Sequence, residues 1–332
     1  MDKSHLPLCV DLDGTFLRTD VISEALIVFL RGRPWRLFRV LAWLLRGRAH
    51  MKAQLAREVC LDVKSLPINE RILDLITESR KAGQQVILVT AADAQVARQV
   101  AEAWPVFDDI MASDGTFNLR AANKAQALVE RFGKHRFIYV GNAKPDIPVW
   151  AVSAEAIGIN LTPMTAHRLR RLGVPFKVIA ENIHRDLFHG MGAYPFLAAP
   201  FGVALIKMVQ KDWPSVSFSL ALGCLLQAFY FLYFAMRTDL LRLTASQQTK
   251  KSQDFATGAV PLTFAMKGCL SWAGLSLFCM GQLGSIRLGT AWLIFFLAQA
   301  MVTIGCAHRG KKYFLFSAFL TALFLLSAMI LA

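Results

Sequence analysis

Asp11 and Asp13 stand two residues apart, directly behind the apolar run Leu6-Pro7-Leu8-Cys9-Val10, and Gly14-Thr15 follows them. The run reads as a short buried strand that ends in two carboxylates and a tight turn. Glycine permits a sharp exit from the strand, and it lets backbone N–H groups come close to a phosphate. Gly14 and Thr15 are therefore expected at a substrate phosphate. One carboxylate can then attack phosphorus while the other handles the proton. The alternative is a strand-end turn carrying two solvated aspartates.

Three further elements must position whatever works with this pair. Gln85-Val86-Ile87-Leu88-Val89-Thr90 is an apolar run that ends in a hydroxyl, with Ala91 next. Lys124 opens the amphipathic run 125–132, and Phe137-Ile138-Tyr139-Val140-Gly141-Asn142 is followed by Asp146. The strand-like runs are short and continuously apolar, and helical patterns follow them, as a parallel sheet covered on both faces requires. In this set Asp11 is the nucleophile, and Asp13 protonates the leaving oxygen and then activates water. Thr90 can donate its hydroxyl to a phosphoryl oxygen, and Lys124 can balance the charges of nucleophile and phosphate. Mg²⁺ prefers oxygen ligands and keeps several waters, so Asp11, the Asp13 main-chain carbonyl and Asp146 would suffice to hold it. A strand-end threonine also serves as a helix N-cap, and a lone lysine is commonly a solvated surface residue.

The four elements, in this order over about 140 residues, resemble the four motifs of the haloacid dehalogenase (HAD) superfamily, whose members are mostly Mg²⁺-dependent phosphatases. The resemblance implies an α/β doubly wound parallel sheet with a helical cap inserted at about residues 20–75. It also places Ala91 with Gly14 and Thr15 among the substrate-binding residues. One position departs from the pattern. Many members carry Gly-Asp in the fourth motif, where this chain has Gly141-Asn142. The Asn142 amide oxygen can still accept a metal-bound water but contributes no charge, so metal affinity is expected to be weaker, with Asp146 as the direct ligand.

The second half of the chain is made of different material. Residues 191–332 hold three acidic residues, Asp212, Asp239 and Asp254, and no glutamate. Charge-free stretches cover 213–236, 268–286, 288–307 and 313–332, each close to the roughly 20 residues that cross a bilayer core. A shorter apolar segment at 191–206 reads as a fifth span or as an interfacial helix. A mean hydropathy of +0.42 and 55% hydrophobic residues suit an integral membrane protein. With five spans, the loops holding Arg237, Arg242, Lys250 and Lys251, and Arg309, Lys311 and Lys312, share a side with the N-terminal domain. The positive-inside rule makes that side the cytoplasm. Lys207 and Lys211 fall on the far side. The expected location is a bacterial inner membrane, crossed several times.

The cap insertion is apolar and basic at once. Runs 25–30 and 37–45 are interrupted by Arg31, Arg33, Arg36, Arg39, Arg46, Arg48 and Lys52. Neither run is long enough to span, and Trp35, Trp43 and the arginines suit a headgroup boundary. Membrane lipids are thus an expected partner, with a helical cap packed on the core as the alternative. The net charge of +14 follows from this insert and the basic loops. No base-reading motif accompanies it, so nucleic acid is not an expected partner. The six cysteines show no paired spacing, as reduced cytosolic thiols would. The chain opens on the aspartate-bearing strand, without a cleavable leader. Residues 166–182 read as the end of the soluble domain and a basic approach to the membrane.

Residues 1–182 also resemble the HAD portion of bacterial proteins that fuse it to a UbiA-type membrane transferase of prenyl groups or phosphoribose. That family holds Mg²⁺ and diphosphate with aspartate-rich loops. Here only Asp239 stands where the ladder would begin, Arg242 occupies the place of a second carboxylate, and no acidic residue follows Asp254. Residues 190–332 therefore read as a shortened UbiA-like remnant of about five spans. The leading expectation is a membrane-anchored, Mg²⁺-dependent phosphomonoesterase, with a lipid-linked substrate such as a polyprenyl-phosphate sugar phosphate. The others are a UbiA-type transferase completed by a membrane-protein partner, and a scaffold that only binds a phosphorylated ligand.

Overall fold

Leu8–Val10 forms β1, buried at all three positions. In the computed structural model it lies inside a six-stranded sheet with β2 (Val86–Asp93), β3 (Asp109–Ser113), β4 (Ile138–Gly141), β5 (Glu155–Ile159) and β6 (Phe176–Ile179). The order is β3-β2-β1-β4-β5-β6, and every neighbouring pair is parallel. Residues 5–114, 117–181, 197–238, 256–283 and 286–306 are described. Strand order reverses at β1, where the chain proceeds outward through β2 and β3 and later returns to lay β4 on the other side. Such a reversal opens a crevice beyond the carboxyl ends of the strands. Val10 is level with Leu88 and Val140, so Asp11, Thr90 and Asn142 all leave the sheet at that end.

Parallel pairing demands a crossover between strands, and helices supply it. The cap and first crossover hold α1 (Val21–Leu30), α2 (Arg36–Leu45), α3 (Arg48–Glu58) and α4 (Glu70–Lys81). Next come α5 (Ala94–Ala103), α6 (Ala122–Phe132), α7 (Ile147–Trp150) and α8 (Pro163–Arg170). Asn69 caps α4 by accepting from the Ile72 amide. Asp93, and not Thr90, caps α5 by accepting from the Gln95 amide. One core cluster gathers Cys9, Ile87, Val89, Leu128, Phe137 and Trp150 around the sheet. Each large apolar side chain so buried contributes about 1.5–3 kcal/mol. Burial also pushes the Cys9 thiol up to about 12, so it stays protonated and unreactive.

Two differences from the sequence reading have clear causes. Residues 166–182 are not only a basic approach to a membrane: they finish α8 and contribute the edge strand β6. Its three exposed positions and one half-buried position give it no buried run by which to be recognised. β2 continues through Ala91-Ala92-Asp93, with a register shift against β3 between Val89 and Asp93. Bulges of this kind re-aim side chains near sites.

The chain divides into two units, one of Met1–Leu26 with Val40–Ile183, the other of Ile27–Arg39 with His184–Ala332. The cap insertion is thus shared between them. The second unit contains α9 (Ala199–Val209), α10 (Trp213–Ala235), α11 (Leu262–Gly281) and α12 (Ile286–Cys306). Two of these, α10 and α11, are long and apolar enough to cross a membrane. Inside this unit the Ser276 hydroxyl donates to the Ala221 carbonyl at 2.7 Å and accepts from the Trp292 indole at 2.9 Å. The expected span at 313–332, the basic loop residues Arg242, Lys250, Lys251, Arg309, Lys311 and Lys312, and the loop aspartates Asp239 and Asp254 lie outside the described residues.

Candidate active site

After β1 the chain makes a wide turn. Phe16 N donates to Asp11 O at 3.2 Å and Leu17 N to Leu12 O at 2.9 Å, two successive i→i+5 bonds. Gly14 takes a φ of +73° in this turn, and a Cβ there would stand 2.0 Å from the Asn142 side-chain nitrogen. Only glycine fits on both counts. The turn is largely closed on itself: Gly14 N donates to Thr19 O and Thr15 N to Leu12 O. Gly14 also lets the Asn142 side chain approach closely.

Lys124 reaches this turn from the first turn of α6. Ala121, just ahead of the helix, takes a φ of +52°, an unusual conformation for a residue with a side chain. The Lys124 ammonium donates to Asp11 Oδ1 at 2.7 Å, to the Tyr139 hydroxyl at 2.9 Å and to the Val89 carbonyl at 3.3 Å. All three protons are thereby placed. Burial works against the ammonium, but Asp11 and Asp146 outweigh it and raise its pKa. It is a fixed positive charge.

The carboxylates differ in their surroundings. Burial pushes Asp11 up to about 6, with Lys124 pulling it down and Asp146 raising it. Asp11 Oδ2 accepts from the Thr15 hydroxyl at 3.4 Å, a longer contact than the one Lys124 makes with Oδ1. Asp13 accepts from the Val21 amide at 2.9 Å. Burial first, then the charge of Asp20, push it well above the usual carboxylate range. Neighbouring carboxyls whose surroundings push their pKa values apart can serve separately as nucleophile and general acid.

Asp146 is buried. Its Oδ2 accepts from the Asn142 and Ala143 amides, both at 3.0 Å, and its Oδ1 accepts from the Tyr139 hydroxyl at 2.9 Å with Lys124 Nζ 3.9 Å away. Three donors leave one of the roughly four lone-pair positions of a carboxylate open. Asp146 thus anchors the loop and lies beside Tyr139 and Lys124. Among the described residues no three His, Cys, Asp or Glu side chains gather as a metal cluster. Asp11 Oδ2, the Asn142 amide oxygen and the Asp13 main-chain carbonyl remain as oxygen donors. They fit a hydrated Mg²⁺, which keeps most of its waters and needs few protein ligands, though they bring a single charge.

Thr90 is buried, and its hydroxyl accepts from the Ala92 amide at 2.9 Å, which leaves its own proton to donate. The Ala91 carbonyl accepts from the Ser113 hydroxyl at 3.1 Å and from Lys52 Nζ at 3.4 Å. Sequence reasoning missed Tyr139 and undervalued Lys52. A tyrosine in a buried central strand must find a partner for its hydroxyl, and that signal was present. Lys52 stood in a run of basic residues without distinction.

No known protein-family model matches the sequence. The uncharacterized protein y4nM of Sinorhizobium fredii is 29% identical over 276 residues, covering 80% of this chain and 52% of its own length. The chain thus spans about half the length of that relative. Among solved structures, a protein of unknown function from Bordetella pertussis Tohama I matches at TM-score 0.43 and 17% identity, over 52% of this chain and 97% of its own. The HAD family hydrolase t0658 of Salmonella enterica serovar Typhi matches at 0.39 and 13%, over 52% and 68%. A probable phosphoserine phosphatase from Vibrio cholerae matches at 0.36 and 13%, over 50% and 60%.

Proposed function

We propose that the first unit is a HAD-type phosphomonoesterase that works through an aspartyl-phosphate on Asp11. The observation that carries this reading is the pairing of Asp11, hydrogen-bonded to the buried Lys124 ammonium, with Asp13 two residues on in the same turn. Asp11 Oδ2 attacks phosphorus, the bond from phosphorus to the ester oxygen breaks, and Asp13 gives its proton to the departing alkoxide. Asp13, now ionised, takes a proton from water. That water attacks the phosphorus of the acyl phosphate and releases inorganic phosphate and the Asp11 carboxylate. Thr90 donates to a phosphoryl oxygen, and Lys124 offsets the charge that gathers between nucleophile and phosphate. A bound Mg²⁺ would neutralise phosphoryl charge, held by Asp11, Asn142 and the Asp13 carbonyl.

The direct test is phosphate release from an aryl phosphate by the detergent-purified chain, with Mg²⁺ and with chelator, beside Asp11→Asn. Removing a covalent nucleophile is expected to lower turnover by at least about 10³-fold. Because Asp11 must be ionised, kcat/KM should climb with pH on a limb centred at or below pH 6, from the value of about 6 for the metal-free carboxyl. Release that survives Asp11→Asn unchanged would overturn the proposal.

The second unit is proposed as a multi-pass membrane anchor that keeps the first on the cytoplasmic face, with a lipid-linked phosphate ester as substrate. Support comes from α10 and α11, long and apolar enough to span, and from the outward-facing Leu270, Phe278, Ile294 and Leu297, which suit acyl chains better than water. A UbiA-type transferase reading draws no support from the described residues, and residues 191–332 carry too few carboxylates to hold Mg²⁺ and diphosphate.

A further inference from the structure

The cap helix α2 is amphipathic in the opposite sense to a helix on a water-facing surface. At about 100° per residue, Phe38, Leu41 and Leu45 fall within an arc of about 60°. Their exposures are 68%, 48% and 90%. On the other side of the helix Val40 is buried, and the Arg36 guanidinium lies 4.7 Å from the centre of the Phe29 ring. A surface helix in water turns its charges out and its apolar stripe in.

We propose that this outward face of α2 docks on the headgroup layer of an anionic lipid leaflet. Charge selects the occupant. No acidic residue occurs between Glu24 and Glu58, and Arg33, Arg39 and Arg46 are exposed beside the apolar arc. Such a rim is attracted to anionic lipid, and it repels a second copy of the same basic surface. Trp35, at the entrance to the helix, is exposed as well, and its amphipathic ring suits the headgroup boundary. Gly47 alone separates the described end of α2 and Arg46 from α3, whose Lys52 reaches the Ala91 carbonyl at the strand ends. Docking of α2 would therefore hold the crevice at headgroup depth. The docking itself does not depend on the phosphatase reading.

The test uses the full-length chain in lipid nanodiscs. A nitroxide is placed by Leu45→Cys, or by Arg57→Cys at the far end of α3 as a control, each with Cys60→Ser; the Cys60→Ser chain alone gives the background. Collision rates with oxygen and with a nickel chelate report lipid and water exposure. In discs of phosphatidylglycerol and phosphatidylcholine, position 45 is expected to favour oxygen and position 57 nickel. In phosphatidylcholine alone, or with Arg33, Arg39 and Arg46 all changed to Gln, position 45 is expected to swing to nickel. Preference for nickel at 45 in the anionic discs overturns the proposal. So does shielding from both reagents with spin–spin broadening, which would mean a second copy covers the helix. Equal oxygen preference in both lipids overturns the charge-based choice of occupant.

Discussion

The two units bury polar groups by opposite means. The first takes full charges indoors: buried Lys124 lies 2.7 Å from Asp11 and 3.9 Å from Asp146, and Tyr139 hydrogen-bonds to both Lys124 and Asp146. In the second, the fully buried polar side chains among the described residues are neutral, such as Ser276 between the Ala221 carbonyl and the Trp292 indole. The difference follows from what each interior must do. On the proposed phosphatase reading, a phosphate ester needs strong, fixed fields where it reacts, so the sheet carries the desolvation cost of three ions and recovers much of it by mutual pairing. A helix bundle of apolar segments gains nothing from a charge, and one neutral hydroxyl bridging two helices suffices.

This contrast can be broken by removing one member from each set. Lys124→Met leaves two buried carboxylates facing each other, and it is expected to destabilise the first unit by about 3–5 kcal/mol, read as a fall in its unfolding midpoint in detergent. A loss no larger than an exposed ion pair would give, about 1 kcal/mol, would mean the charges are not mutually supporting. Tyr139→Phe removes a donor to Asp146 and an acceptor for Lys124 while keeping the ring. It should cost about 1–3 kcal/mol, and the same unfolding measurement ranks it against Lys124→Met. Ser276→Ala tests the other side: interhelical bonds in apolar surroundings average about 0.6 kcal/mol, so α10 to α12 should barely loosen. A loss as large as that of Tyr139→Phe would erase the distinction between the two interiors.

The site was legible where a residue's role is fixed by its place at a strand end. Asp11 and Asp13 follow β1, Thr90 ends the apolar part of β2, and Lys124 stands in the first turn of α6, so order along the chain was enough to assemble them. What the sequence leaves out is which hydrogen bonds are already made. Asp146 reads as a free carboxylate, whereas the Asn142 and Ala143 amides and Tyr139 take three of its lone pairs. Gly14 and Thr15 read as open amide donors, whereas both amides bond within the turn. Among the strands, β1, β2 and β4 were visible as buried apolar runs. β3 and β6 were not, because half-exposed or exposed strands leave no continuous run. Spacing encodes position, but it does not encode which lone pairs remain.

The place of β1 has a consequence during synthesis. Ile138, one of the two strand neighbours of Leu8, is made about 130 residues after it. At about 5–20 residues per second that interval is on the order of ten seconds. Throughout it the strand behind Asp11 has an open edge with unpaired amides, the kind of edge that recruits other chains. Asp11 thus waits for its second neighbouring strand while β2 and β3 are made, and α9 to α12 are made only after β4.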